Sequence, residues 1–451
     1  MRLAATLALS ASLALPAAAQ GTRTDVSPDV DALMALYTDL HAAPELSFME
    51  TETARRLARE LRQAGFSVTE GVGRTGVVAV MENGDGPTIM LRADMDGLPV
   101  KEATGLPYAS EATGRDRYGQ TFPTMHACGH DVHMTSLVGA ARQLADRRDD
   151  WSGTLVLIGQ PAEEIGEGAL AMIEDGLYER FPKPDAVVAL HDAASLPAGM
   201  VAYTPGYALA NVDSVDIRVR GVGGHGAYPH TTKDPIVIAA RIVTALQTLV
   251  SRELSPLDRA VVTVGAINAG SKHNIISDEA HLQLTVRSFD DATRQHLLLG
   301  IQRIAEAQAM SAGLPEELWP EVTVSLPYTP STYNDPSLTE RVAATLAEAL
   351  GPENVVATDP VMGGEDFSQF GREAQDVPTV IFWLGAVDPE AFAAAEAGGA
   401  PLPSLHSPFF APDAEATLRT GVVALTEAAL SLFEDPPAPA ASNPGPAGAA
   451  R

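Results

Sequence analysis

Between Val26 and about Ala210, helical patterns alternate with short apolar runs, "TGVVAVMENG", "TIMLRADMDG", "GTLVLIGQPAEE" and "DAVVALHD". This alternation predicts an α/β domain with a largely parallel sheet. In such sheets the loops after the strands carry the chemistry. Asp94, Glu163, Glu164 and His191 all fall at predicted strand ends. From about Asn211 to Pro330 the rhythm changes to strand, helix, two strands, helix and strand, the βαββαβ order of a ferredoxin-like unit. Its first helix repeats Ile236, Ala239, Ala240, Val243, Leu246 and Val250 at helical spacing, which predicts the buried face. After Pro330 the α/β rhythm returns, with helices near Leu338–Leu350 and Ala414–Phe433 around the strand "TVIFWLGA". A small domain, 211–330, inserted between two parts of a larger one, 26–210 and 331–433, is the simplest account.

A chain of 451 residues is long enough for at least two cores. The first residues, "MRLAATLALSASLALPAAAQ", have a basic start, an apolar run and a small-residue end, the pattern of an export leader over residues 1–19. Periplasmic or secreted localisation is therefore expected. Residues 434–451, rich in Pro, Ala and Gly, are expected to be a disordered tail. The net charge of −28 argues against nucleic acid and against anionic membrane as partners.

Residues 126–133, "HACGHDVH", hold three of the 11 histidines and the only cysteine. One cysteine cannot form an internal disulfide, so in an oxidising compartment Cys128 needs burial or another purpose. Cys128 and His130 enter a predicted helix and suit zinc, whose commonest donors are thiolate and imidazole. A buried thiol beside a core histidine would read the same way. His126 and His133 are further donors, more in keeping with supporting roles. Glu163 and Glu164, at a strand end, should point to opposite sides of the chain, one to ligate a cation and one to act as a base. A solvated pair is the alternative. His191 ends another apolar strand, and His406 sits between apolar residues in "LHSPFF". Together these donors suffice for two divalent ions that activate a water for hydrolysis.

The chain resembles the amidohydrolase branch of the di-metal aminoacylase and carboxypeptidase metallopeptidases, which includes hippurate hydrolases, N-acyl-amino-acid amidohydrolases and auxin-conjugate hydrolases. The matching stretches are "LHAAPELSF", "LRADMDGLPVKE", "MHACGHDVH", "GQPAEE", "GVGGHGAYPHTTKDPI", "MGGEDFSQF" and "LHSPFF", in that order from about residue 40 to 410. The resemblance implies an α/β, mixed-sheet di-metal hydrolase domain with an inserted ferredoxin-like dimerisation or lid domain. It implies that Cys128, His130, Glu164, His191 and His406 are metal ligands, that Glu163 is the general base and that Asp96 orients the ligands. By the same resemblance His225 crosses a homodimer interface to a neighbouring active site, and Asn274 and Arg287 hold the substrate's carboxylate. Two divalent ions per subunit are implied, zinc or manganese, with cobalt or nickel tolerated by the donor set. The expected reaction is cleavage of the amide of an N-acyl amino acid or related small conjugate. The rivals are a carboxypeptidase or dipeptidase of the same superfamily and a non-catalytic binding protein. Gly226, Ile276, Leu284 and Asp192 depart from the usual pattern, in places that bear on substrate preference.

Overall fold

The computed structural model describes residues 24–372 and 375–436. The expected leader, 1–19, and residues 437–451 of the expected tail lie outside them. The chain opens with helices α1 (Val30–His41) and α2 (Thr51–Gln63) and strands β1 (Ser67–Val72), β2 (Gly76–Asn83) and β3 (Thr88–Asp94). Helix α3 (His130–Asp146), β4 (Gly153–Gln160), α4 (Gly168–Glu174), β5 (Ala186–Pro197) and β6 (Val201–Tyr203) follow. The middle contributes β7 (Asn211–Arg220), α5 (Pro235–Thr248), β8 (Ala260–Ala269), β9 (Glu279–Ser288), α6 (Asp291–Ser311) and β10 (Glu321–Val324). The last part adds α7 (Pro336–Leu350), β11 (Val355–Ala357), β12 (Thr379–Val387) and α8 (Ala414–Glu434). Glu434, the first residue of the expected tail, thus still belongs to α8.

The large sheet has the order β1-β2-β4-β3-β5-β12-β6-β11. Its centre, β4-β3-β5-β12, is parallel, while β1, β2 and β6 pair antiparallel, so the sheet is mixed. The central strands are buried on both faces, which explains their continuous apolar runs. One face is covered by α1, α3 and α8, with Leu137, Val138, Leu425 and Ala428 fully buried. Burying each leucine of this set stabilises the fold by about 1.5–3 kcal/mol. The other face packs Met90 and Ile158 against Phe367 and Phe370.

The second sheet runs β8-β9-β7-β10, antiparallel throughout, with α5 and α6 on one face. This is the βαββαβ arrangement predicted for the middle of the chain. Asp234 and Asp290 cap α5 and α6 by accepting from backbone N–H groups of the first turn. The buried face of α5 differs from the predicted one. Ile238, Ala239, Ile242 and Leu246 face the sheet, whereas Ile236 and Ala240 are exposed. The helix is apolar almost all round, so spacing alone selects no unique stripe. Its extension to Glu253 makes it long and apolar enough to cross a membrane, as α8 is, but α8 is mostly buried in the core.

Candidate metal centre

The parallel strands aim their C-terminal ends at one place. Cys128 and His130 flank Gly129, which adopts a left-handed conformation (φ 73°) at the start of α3. His130 Nδ1 donates to the Asp96 carbonyl at 2.7 Å, which leaves Nε2 facing the carboxylates of Glu163 and Glu164, 3.9 Å from each. His191 Nδ1 donates to the Asp192 carbonyl at 2.8 Å, and its Nε2 lies 3.6 Å from Cys128 Sγ. His406 comes from the far end of the chain, with Nε2 3.2 Å from Cys128 Sγ and 3.6 Å from Glu164 Oε2. Cys128 therefore belongs to two sets of donors, one with His130 and His191 and one with Glu164 and His406.

Glu163 and Glu164 do not point to opposite sides of a strand, as expected from the sequence. The strand ends at Gln160, Ala162 turns left-handed (φ 51°), and both glutamates lie on a short 3-10 turn with their carboxylates toward His130. Alternation holds only while the backbone stays extended. Asp96 fixes this turn, accepting from Glu163 N at 3.0 Å, Glu164 N at 3.1 Å and Ser47 Oγ at 2.6 Å. Nor does His191 end its strand, since β5 runs on to Pro197.

The residues fit divalent ions. His130 Nε2 and Glu164 Oε1 are buried without a hydrogen-bond partner, an arrangement that costs about 1–3 kcal/mol for each group unless something else is bound there. Burial pushes the Cys128 thiol well above its usual range and the Glu164 carboxyl up to about 8. Burial, with the carboxylates of Glu365 and Glu164 next, also raises Glu163 well above the carboxylate range. Such a pocket binds cations in place of protons.

Two supporting residues, Glu50 and Arg92, escaped the sequence, whereas His133 and His126 were expected in supporting roles. Glu50 is fully buried and accepts from Ala162 N at 2.8 Å, which holds the turn before Glu163. Arg92, also fully buried, donates to Asp94 at 2.7 Å, Gln160 at 2.8 Å and Glu365 at 2.7 Å, tying together three segments beneath the site. His133 lies between Asp94 (2.6 Å) and Asp192 (3.1 Å). The acidic Asp192, a departure from the family pattern, is thus an internal partner. His126 is buried with neither ring nitrogen partnered.

A cleft of 470 Å³ opens from the centre toward the second sheet, with Ile165, Leu209, Val212, Trp383 and Leu405 along its sides. Arg287 enters it from β9 and, among the described residues, is the only arginine or lysine in its lining. Burial lowers its pKa from the usual value, and Nη1 donates to the Met362 carbonyl at 2.7 Å. His225 and Asn274 lie elsewhere. Gly224–His225 pairs with Ile275–Ile276, and His225 stands exposed, its Nδ1 accepting from Ala227 N at 3.0 Å. Neither residue lines the cleft of its own chain. At Gly226 an alanine Cβ would come to 3.0 Å from the Asn274 carbonyl oxygen, a tight approach that the Asn274 backbone would have to relieve by a few tenths of an ångström.

The profile of peptidase family M20/M25/M40 matches residues 90–429. N-acetylcysteine deacetylase of Bacillus subtilis (strain 168) is 37% identical over 356 residues, 78% of this chain and 88% of that protein. Thermostable carboxypeptidase 2 of Saccharolobus solfataricus is 37% identical over 367 residues, 80% of this chain and 88% of the other. Among solved structures, the Bacillus subtilis YXEP protein, a dinuclear metal binding peptidase from the M20 family, superposes with a TM-score of 0.72 at 31% identity, covering 90% of this chain and 99% of that one. On its sequence, and with a fold shared across nearly its whole length, this chain belongs to peptidase family M20/M25/M40.

Proposed function

We propose that the protein is a metal-dependent amidohydrolase that cleaves the amide of an N-acyl amino acid. Cys128, His130, Glu164, His191 and His406 would hold two divalent ions, and Glu163 would act as general base. The observation that carries this reading is the membership of Cys128 in both donor sets, with Glu163 beside them in the same cleft. Two divalent ions, when bound, supply an activated water and polarise the scissile carbonyl. Glu163, held in place through Glu50 and Asp96, takes the proton of the attacking water and returns it to the leaving nitrogen. Arg287 pairs with the substrate's carboxylate, and the apolar sides of the cleft receive the acyl group. A thiolate with imidazoles suits zinc, and the remaining donors also accept manganese, cobalt or nickel.

A peptide substrate differs in carrying a free ammonium on the acyl side. Among the described residues the only acids lining the cleft are Glu163 and Glu164, both assigned to the centre in this reading. This favours an uncharged acyl group over a peptide, although a carboxypeptidase stands among the relatives. The test is Glu163→Gln in metal-loaded protein, assayed on N-acetyl, N-benzoyl and long-chain N-acyl amino acids and on dipeptides. Turnover should fall by about 10² or more while metal content stays at the wild-type level. Normal activity in that variant would refute the role of Glu163, and wild-type protein inactive on the whole panel would favour a binding protein.

The homodimer belongs to the same reading. Strand β8 is an unpaired sheet edge, and Val222, Ile236, Val237, Ile267 and Ile275 are exposed on the same inserted unit, which also carries His225. A second copy covering this surface would bring His225, and Asn274 beside it, to the partner's cleft, where the imidazole would donate to the developing oxyanion. Mixing His225→Ala with Glu163→Gln protomers under subunit exchange tests it. Hybrids carry one intact site, so activity should return to about a quarter of wild type at equal mixing. Exchange verified by mass with no recovered activity would overturn the crossing. A leader at residues 1–19 would place the mature chain in the periplasm or outside the cell, which N-terminal sequencing of the mature protein would check.

A further inference from the structure

The segment that returns from the second sheet to the catalytic domain, residues 325–330, stands between two cavities. Ser325 and Thr329 line the metal cleft, Leu326, Tyr328 and Pro330 line a cavity behind it, and Pro327 touches both. Backbone bonds hold the partition in place, Val212 N to Thr329 O at 2.8 Å and Ser325 N to Ser214 O at 2.9 Å. The rear cavity measures 620 Å³ against 470 Å³ for the cleft, and the proposed reaction makes no use of it.

Its charged lining is unevenly paired. Glu167 is held by both Nη atoms of Arg117, at 2.6 and 2.8 Å, and Arg372 by Asp291 at 3.0 Å. Arg74 and Glu174 also line the cavity, and among the described residues neither has an ion-pair partner. They sit on neighbouring segments, because Asp175 accepts from Gly73 N at 3.1 Å. The Arg74 guanidinium lies 4.1 Å above the ring of Phe48. Both residues adopt left-handed backbone, φ 80° and 61°, a conformation that side-chain-bearing residues rarely take. Strain of this kind is retained where it presents something, and here it presents a cation over an aromatic face. Phe48, Leu170, Leu326 and Pro327 supply the apolar remainder. A cation and an anion, both exposed and without an ion-pair partner among the described residues, share this lining with an apolar surface, and together they match one small class of ligand.

We propose that this cavity is a second ligand site for a free apolar L-amino acid, with the carboxylate on Arg74, the ammonium on Glu174 and the side chain against Phe48, Leu170 and Leu326. The cavity contains none of the residues of the metal centre, so the site stands whether or not the reaction proposed for the cleft is correct. If that reaction is correct, the ligand is of the class it releases.

The test is calorimetric binding of L-leucine to the full chain, metal-loaded and after chelation. One L-leucine per protomer should bind in both states. L-Leucinamide lacks the carboxylate and 4-methylpentanoate lacks the ammonium, and each should bind at least about tenfold more weakly, the cost of one charge-assisted contact. Arg74→Met and Glu174→Gln should each weaken L-leucine by the same factor with metal content unchanged. The proposal is overturned if chelation abolishes binding, if N-acetyl-L-leucine displaces L-leucine stoichiometrically from metal-loaded Glu163→Gln protein, if both charge variants bind like wild type, or if wild type binds no L-leucine at millimolar concentration.

Discussion

Gly129 separates two proposed ligands, and replacing it with alanine probes how tightly the site is built. The residue sits at φ 73°, and an added Cβ would lie within 2.6 Å of Asp192 Oδ1 and closer still to Cγ and Oδ2. Asp192 is fully buried and held by His133, so it has nowhere to retreat. The left-handed conformation costs alanine about 1–2 kcal/mol. Overpacking adds about 1–3 kcal/mol. The stiffer unfolded chain offsets about 0.4–1 kcal/mol of this. Gly105 provides the control, with φ 77° and no heavy atom within 4 Å of an added Cβ. Gly105→Ala carries the backbone terms alone, so the difference between the two variants isolates the clash at about 1–3 kcal/mol. Urea midpoints of the metal-free proteins measure the difference, and metal content after reloading reports on the site. Gly129→Ala should be the less stable of the two and should bind less metal. Equal midpoints together with full metal content would refute the claim that Asp192 and Gly129 are packed without slack.

Loading the centre should release protons, because Glu164 with its carboxyl raised to about 8 and Cys128 with its raised thiol must both deprotonate to ligate. Metal affinity should therefore increase with pH through neutrality, and titration calorimetry in buffers of different ionisation enthalpy should show protons released; an affinity independent of pH from 6 to 8 would contradict it. His41 is fully buried between Asp131 at 2.7 Å and Glu102 at 3.2 Å. Burial opposes its charge, but the two carboxylates prevail and raise its pKa to about 10. A raised folded pKa stabilises fully below the unfolded value near 6.5 and loses that contribution as pH rises through about 10. His41→Asn should therefore cost about 3–5 kcal/mol at pH 6, as for one partner lost from a buried pair. The gap to wild type should narrow toward pH 10, and a gap constant with pH would contradict the pairing.

The proposed donors were legible as a group because they fall in short motifs, Cys128 and His130 at the start of α3, Glu163 and Glu164 just past β4, His191 within β5 and His406 in a turn, and the fold brings these together. The alternating order of strands and helices likewise carried both sheets. What the sequence hid are partners across long separations. Glu50 reads as a surface acid before a helix, and its partner Ala162 is 112 residues away. Arg92 looks like an interruption in an apolar strand until Glu365, 273 residues on, is placed against it. The direction of Glu163 and Glu164 was lost for a local reason, a left-handed Ala162 that no preference of alanine announces. For the buried face of α5 the apolar pattern was simply too broad to choose a side.

The neighbouring placement of β5 and β12 has a consequence for the order of events on the ribosome. Strand β12 begins 182 residues after β5 ends (379 against 197), yet the two lie side by side at the centre of the large sheet. At about 5–20 residues per second, β5 would wait about 10–40 s for its neighbour. During that interval its buried run, "AVVALHD", has no strand to cover one edge. The βαββαβ unit needs no residue beyond its own segment to close its sheet, so it can fold while the catalytic sheet remains open. His406 emerges later still, so a nascent chain can assemble the donor set of Cys128, His130 and His191 well before the set that includes Glu164 and His406.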